Sequence, residues 1–325
     1  MANKKLIYSL LFLLAGAIIA LVVLDNRSTR PDKRPDNPYE YDIKEYMEVD
    51  PGLIIYTETS NIRLGSDIPR GISWFGGRIY LVTENSLQVI SPEGRQLSKT
   101  ALPEAANTVH AAEPGIFVAF DNRVVQYGFD GSLVREFVST GDSTHFTSLA
   151  FSDGVLAVAD AGKRVVLLFR EDGTLIRQIS GKRESEDLHG FIIPSPFFDL
   201  AYCPVGELWV VNPGLHAFEN YSRDGNLRGH WAVTSMKIDG FSGCCNPAHM
   251  AILPDGHFAT SEKGLVRIKV YKPSGELLGV VAPPASFKPG ETAPDLAVTA
   301  AGEVLALDFD RKMIRIFEKK NQDGS

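Results

Sequence analysis

The sequence predicts an all-β fold in which six four-stranded sheets are arranged radially and closed into a ring. Three observations carry this. First, a tight turn recurs at Glu93-Gly94, Asp130-Gly131, Asp172-Gly173, Asp224-Gly225 and Ser274-Gly275, spaced 37 to 52 residues apart, with an apolar residue soon after each at Leu97, Leu133, Leu175, Leu227 and Leu277. A period of this length with strand-like flanks marks repeated sheets. Second, an apolar strand, a Gly turn and another apolar strand recur six times, centred on Gly77, Gly115, Gly154, Gly206, Gly256 and Gly302. Third, the last repeat stops after its third strand near Phe317, while Leu53 to Leu64 is a strand-like segment ahead of the first repeat. Pairing the two would complete the sixth sheet and remove the exposed edges that invite aggregation. Four strands in each of six units is the pattern of a six-bladed β-propeller.

In chain order, residues 1–5 form a short basic head with Lys4 and Lys5. Residues 6–24, Leu6 to Leu24, carry no charge. As a helix they would span roughly 28 Å, close to the thickness of a hydrocarbon core. This predicts an uncleaved single-pass transmembrane helix; the alternative is a cleaved signal peptide, against which the small residues Ala15-Gly16-Ala17 fall inside the apolar run instead of just past it. The basic head before an apolar run favours export, placing the body in a periplasmic or other extracytoplasmic space, although Arg27, Arg30, Lys33 and Arg34 on the other flank count toward the opposite orientation. Residues 25–50 read as a flexible tether, because Pro31, Pro35 and Pro38 block regular structure and apolar residues are few. Residues 51–320 are the expected propeller, and 321–325 a tail.

Within the propeller, second strands are expected at Ile79 to Val82, Ile116 to Ala119, Val155 to Val158, Leu208 to Val211, His257 to Thr260 and Val304 to Leu307. Third strands follow at Leu87 to Ile90, Val124 to Phe129, Val165 to Phe169, His216 to Tyr221, Arg267 to Tyr271 and Met313 to Phe317. Asp121, Asp160, Asn212 and Asp308 end second strands, where their side chains would cap the following turn.

The run Val158-Ala159-Asp160-Ala161-Gly162-Lys163-Arg164-Val165, followed by Phe169-Arg170-Glu171-Asp172-Gly173, resembles an NHL repeat. The block Gly243-Cys244-Cys245-Asn246-Pro247, followed by Ser261-Glu262-Lys263-Gly264, is similar to one in bacterial membrane-anchored NHL-type propellers. The resemblance implies a six-bladed propeller that binds ligands or proteins. In a few relatives it implies lactonase- or lyase-like chemistry, the former with a calcium site.

The innermost strand of each blade lines the central channel. Aligning these strands on their Gly turns brings Arg70, Thr108, Ser148, Asp199, His249 and Asp295 into one column near one mouth. Such a set would hold a cation, waters or an anionic ligand. The alternative is an ordinary water-filled channel. Asp199, Asp295 and His249 are the candidate metal ligands. For calcium, Asn246 and Asn107 would have to add oxygens, and Arg70 would repel the ion.

The chain has three cysteines, so no disulfide framework forms. Cys244 and Cys245 are adjacent, and a vicinal bridge would be strained because neighbouring Cα atoms lie closer than a disulfide prefers. A strained bridge suits redox sensing or loop stiffening. A bridge to Cys203, metal binding with His249, and plain burial are the alternatives. Glu262-Lys263-Gly264 with Arg267 and Lys269 reads as a solvated charged loop with a local ion pair.

The net charge of −7 and the lack of a basic cluster in the body argue against a nucleic-acid partner. There is no G-x-S-x-G, H-E-x-x-H, phosphate-loop or C-x-x-C pattern. The expected function is therefore that of a membrane-attached binding module for a protein, glycan or small molecule. The alternatives are a calcium-dependent enzyme at the channel mouth and a redox or metal-handling accessory protein built on the vicinal cysteines.

Overall fold

The computed structural model describes residues 2–28, 44–138, 143–183 and 188–320. The chain divides into two compact units, Met1–Glu45 and Tyr46–Ser325. In the first, one helix runs Ala2–Ser28, so helix rather than tether occupies 25–28. Among the described residues no helix is long and apolar enough to cross a membrane. The transmembrane expectation for 6–24 is thus without structural support. Most of the tether expected over 25–50, and the tail 321–325, lie outside the described residues.

The second unit is a six-bladed propeller of four-stranded antiparallel sheets. Blade one is built from Pro69–Phe75, Arg78–Thr83, Ser86–Ile90 and Gln96–Ala101, from channel to rim. Blade two uses Thr108–Ala112, Gly115–Ala119, Arg123–Tyr127 and Leu133–Val138. Blade three uses Phe146–Ser152, Val155–Asp160, Val165–Arg170 and Leu175–Ile179. Blade four uses Leu200–Tyr202, Leu208–Asn212, Ala217–Tyr221 and Leu227–Ala232. Blade five uses His249–Ile252, Phe258–Glu262, Arg267–Tyr271 and Leu277–Ala282. Blade six takes Asp295–Val298, Val304–Asp308 and Met313–Lys319, and its outer strand is Tyr56–Arg63 from the other end of the body. The ring closes as the repeat count requires. Each inner strand packs against the next, and the sixth packs against the first.

The second and third strands are buried on both faces because each blade is sandwiched between two others. Six apolar clusters fill the six blade interfaces. Ile72, Leu81, Leu305 and Ile314 seal blade six to blade one, and Trp209, Phe218, Phe258 and Tyr271 seal blade four to five. Each such side chain contributes about 1.5–3 kcal/mol when fully buried. The inner strands approach closely: a Cβ on Gly71 would lie 2.9 Å from the Thr108 Cα atom, so only glycine fits between blades one and two there.

Candidate functional site

All six residues of the sequence-derived column line one cavity of about 230 Å³ on the channel axis. The residues that follow the polar ring along each strand shape it. Two residues beyond the polar ring, Ala150, Ala201, Ala251 and Ala297 project little volume into the hole, and His110 and Ile72 complete that layer. Further along the strands, Trp74, Phe151, Tyr202, Ile252 and Val298 supply bulk. The small layer opens the space and the bulky layer limits its depth.

Asp199, His249 and Asp295 converge, with one ligand atom from each within 4.8 Å of the others. The His249 Nδ1 atom lies 3.5 Å from an Asp295 oxygen and 3.8 Å from an Asp199 oxygen. Both carboxyls also tie neighbouring blades together. Asp199 accepts from the Met250 N–H at 2.7 Å and from the Ser148 hydroxyl at 2.5 Å. Asp295 accepts from the Ile72 N–H at 3.0 Å across the blade six to blade one junction. Backbone hydrogen bonds to Leu200 and Leu296 complete their fixation. The carboxyls are therefore held rigidly, and each retains lone pairs toward the cavity.

Burial dominates the acid–base chemistry. It pushes the Asp199 and Asp295 carboxyls up to about 6 each, and at Asp199 the neighbouring Asp295 charge adds to the rise while His249 opposes it. Burial also lowers His249 below the usual imidazole value, against the pull of Asp199. At neutral pH the trio holds two carboxylates and an uncharged imidazole. Phe197 packs edge-on against the imidazole at 5.5 Å between centroids and fixes its plane.

One member of the column acts differently from expectation. Arg70 lines the cavity but its guanidinium turns to Glu84 at 2.5 Å, where both side chains are substantially exposed. Thr108, on the inner strand of blade two, lines the wall as expected. The convergent donors are two carboxyls and one imidazole nitrogen, so calcium would need most of its six to eight oxygens from elsewhere. Asn246 does not line the cavity: its Oδ1 accepts from the Lys263 N–H and its amide nitrogen donates to the Ser242 and Lys263 carbonyls. Asn107 lines the cavity, with its amide nitrogen donating to Asp121 and to the Phe146 carbonyl.

The alignment missed His110, which lines the cavity and is driven down to about 4 by burial. Its position two residues after Thr108, on the same strand face, was the available signal. Of the turn-capping residues, Asp160 and Asp308 accept from the N–H groups of Lys163 and Arg311. Asn212 instead pins the loop before blade four through Ile192 and Gly190 and donates to the buried Glu219. Asp121 bridges Asn107 and His145.

The charged stretch after the cysteines is not a solvated loop. Glu262, Arg267 and Lys269 are fully buried. Glu262 takes Arg267 at 2.8 Å and Lys269 at 2.7 Å on one oxygen. The two cations also donate to the Gly240 carbonyl, and Arg267 reaches that of Met236. Lys269 lies 4.3 Å above the Phe241 ring. The loop joining blades four and five folds over these side chains and removes them from water. The three cysteines are unbridged; Cys203 packs beside the Trp209 and Phe218 cluster, away from the other pair.

No family model matches the sequence, and no curated protein matches it. Solved structures do match. A streptogramin B lyase superposes with a TM-score of 0.60 at 12% identity, covering 82% of this chain and 98% of that one. A virginiamycin B lyase from Staphylococcus aureus gives 0.55 at 14% identity, covering 83% and 90%. A structural-genomics protein from Bacteroides thetaiotaomicron gives 0.59 at 15% identity, covering 80% and 72%. The fold is shared. At this identity the likeness concerns the propeller architecture, not a common NHL membership or activity.

Proposed function

We propose that this propeller is a binding module whose channel mouth takes a small cationic ligand, a protonated amine or a divalent cation, through Asp199, Asp295 and His249. The observation that carries the reading is the convergence of two buried carboxyls on one cavity where, among the described residues, no lysine or arginine is ion-paired with them and the lining Arg70 pairs with Glu84 instead. Above pH 6 the pocket carries uncompensated negative charge, so a cation entering it relieves repulsion and desolvation together. Isothermal titration calorimetry of the full-length chain with manganese, zinc, magnesium and short alkyl diamines tests this. The expected result is saturable binding by at least one of these that Asp295→Asn weakens at least tenfold. Absence of heat with the whole panel, together with no thermal shift, would sink the reading. Binding by metals alone or by amines alone identifies which cation is the ligand.

One observation favours a second reading, elimination chemistry of the lyase type. Burial keeps His249 uncharged and able to accept a proton, 3.5 Å from an acid whose pKa lies near 6. The architectural likeness to lyases acting on streptogramin-type molecules suggests quinupristin as the first substrate to try. Turnover lost in His249→Ala would establish it; no turnover leaves the binding module.

The NHL assignment of the blades rests on the 158–173 run, and export of the body rests on the basic head and uncharged 6–24 run. Protease accessibility of the propeller in intact spheroplasts tests the placement.

A further inference from the structure

Cys244 and Cys245 lie on the loop leading into blade five, just before His249. Their sulfurs are 3.1 Å apart. Cys244 is exposed and Cys245 is 1% exposed, so one thiol meets solvent while the other waits behind it. The loop is pinned on both sides of the pair. The His216 ring bonds the Gly243 carbonyl at 2.5 Å, and Asn246 exchanges hydrogen bonds with both the N–H and the carbonyl of Lys263. Lys263 and Ser195 sit against the Cys245 sulfur, and the Lys263 Nζ atom is 3.4 Å from the Ser195 hydroxyl. A cation and a hydroxyl facing a buried sulfur are what a thiolate requires. The pair divides its proton unequally: burial opposes ionisation of Cys245 but bonds from Ser195, Cys244 and Lys263 outweigh it and lower its thiol, while the bond to Cys245 raises the exposed Cys244 above the ordinary thiol value.

We propose that Cys244 and Cys245 form a thiol–disulfide exchange site whose co-reactant is a small disulfide. Exposed Cys244 loses its proton and attacks one sulfur of the small disulfide. That S–S bond breaks, the first small thiol leaves with a proton, and Cys244 carries the mixed disulfide. The Cys245 thiolate, its own proton already given to solvent, then attacks the Cys244 sulfur, breaks the mixed disulfide, and closes the vicinal bridge; the second small thiolate leaves and takes a proton back from solvent. Two protein thiols are oxidised and one disulfide is reduced to two thiols. Because adjacent Cα atoms are only about 3.8 Å apart, below the range disulfides prefer, the closed form is strained and an excess of small thiol reopens it. Cys203, partly buried against the aromatic cluster between blades four and five, is the third thiol and serves as the internal control.

The test is to incubate the full-length chain with oxidised glutathione, alkylate it with N-ethylmaleimide after unfolding, and measure intact and peptide masses. The expected product has one alkylated thiol, Cys203, and a 244–245 peptide two hydrogens lighter with no glutathione attached. Reduced glutathione should restore three alkylated thiols. Cys245→Ser, lacking the second thiol, should trap glutathione on Cys244, and Lys263→Met should slow closure several-fold. Three alkylated thiols after oxidation of the wild type, or a wild-type adduct that persists without closing, would overturn the proposal. The wild-type measurement decides it whether or not the variants fold.

Discussion

The stability of this propeller should fall, not rise, as Asp295 ionises. The ordinary aspartate value is 3.8 and burial raises Asp295 to about 6. Between those two values the folded carboxyl keeps a proton that the unfolded chain has already released. Folding is therefore favoured at the acid end of the window and weakens as pH rises through it, then levels off. A rise of two units corresponds to about 3 kcal/mol at roughly 1.4 kcal/mol per unit. Asp295→Asn removes this slope. It also replaces one acceptor oxygen with an amide, so either the Ile72 or the Leu296 N–H loses its partner, at about 1–3 kcal/mol independent of pH. The wild type should accordingly be the more stable protein at pH 4, and its advantage should shrink by about 3 kcal/mol, or reverse, by pH 8. Loss of the Asp295 charge also lets Asp199 ionise more easily, which acts in the same direction. Urea unfolding of both proteins in chelator, followed by tryptophan fluorescence at pH steps from 4 to 8, measures the difference free of other titrations. A difference that stays constant across that range would refute the argument.

Glu262→Ala should cost about 3–5 kcal/mol, since it strands the buried Arg267 and Lys269 without their counter-charge; a thermal midpoint unchanged from wild type contradicts the buried triad. Gly71→Ala should lower stability by about 1–3 kcal/mol by forcing the inner strands of blades one and two apart; unaltered urea unfolding would show that the junction yields. Deleting residues 1–63 removes the outer strand of blade six and leaves Met313–Lys319 as a bare edge. Size-exclusion chromatography should show aggregate, and a monodisperse folded monomer would speak against closure by that strand.

The architecture was legible because blades announce themselves locally. Each Gly turn sits between short apolar runs, and only closure needed a distant pairing, which the missing sixth outer strand supplied. The polar column was legible for the same reason: Arg70, Thr108, Asp199, His249 and Asp295 each stand seven residues before their Gly turn, and a shift of one residue brings Ser148 into the same register. Arg70 lines the cavity as expected, but its charge went elsewhere because a long side chain follows the nearest opposite charge, and Glu84, just past the end of the adjacent strand, offers one. Glu262, Arg267 and Lys269 were misread for a different reason. Charge in a sequence reads as exposure, and their burial depends on a non-local event, the folding of Met236 to Gly240 over them. Asn246 was drawn away from the cavity because its Oδ1 accepts from the Lys263 N–H, again a contact that spacing does not encode.

The clasp between Tyr56–Arg63 and Met313–Lys319 has a consequence for biosynthesis. A ribosome makes one of the four strands of the sixth blade some 250 residues before the strand it pairs with, and distant pairing of this kind is slow to form. Throughout that interval the early strand has no mate and the nascent body is a horseshoe with two raw ends. The final seven-residue strand is thus the step that turns the horseshoe into a wheel, and a stall or truncation just short of it would hand the quality-control machinery an unsealed molecule rather than a slightly shortened one.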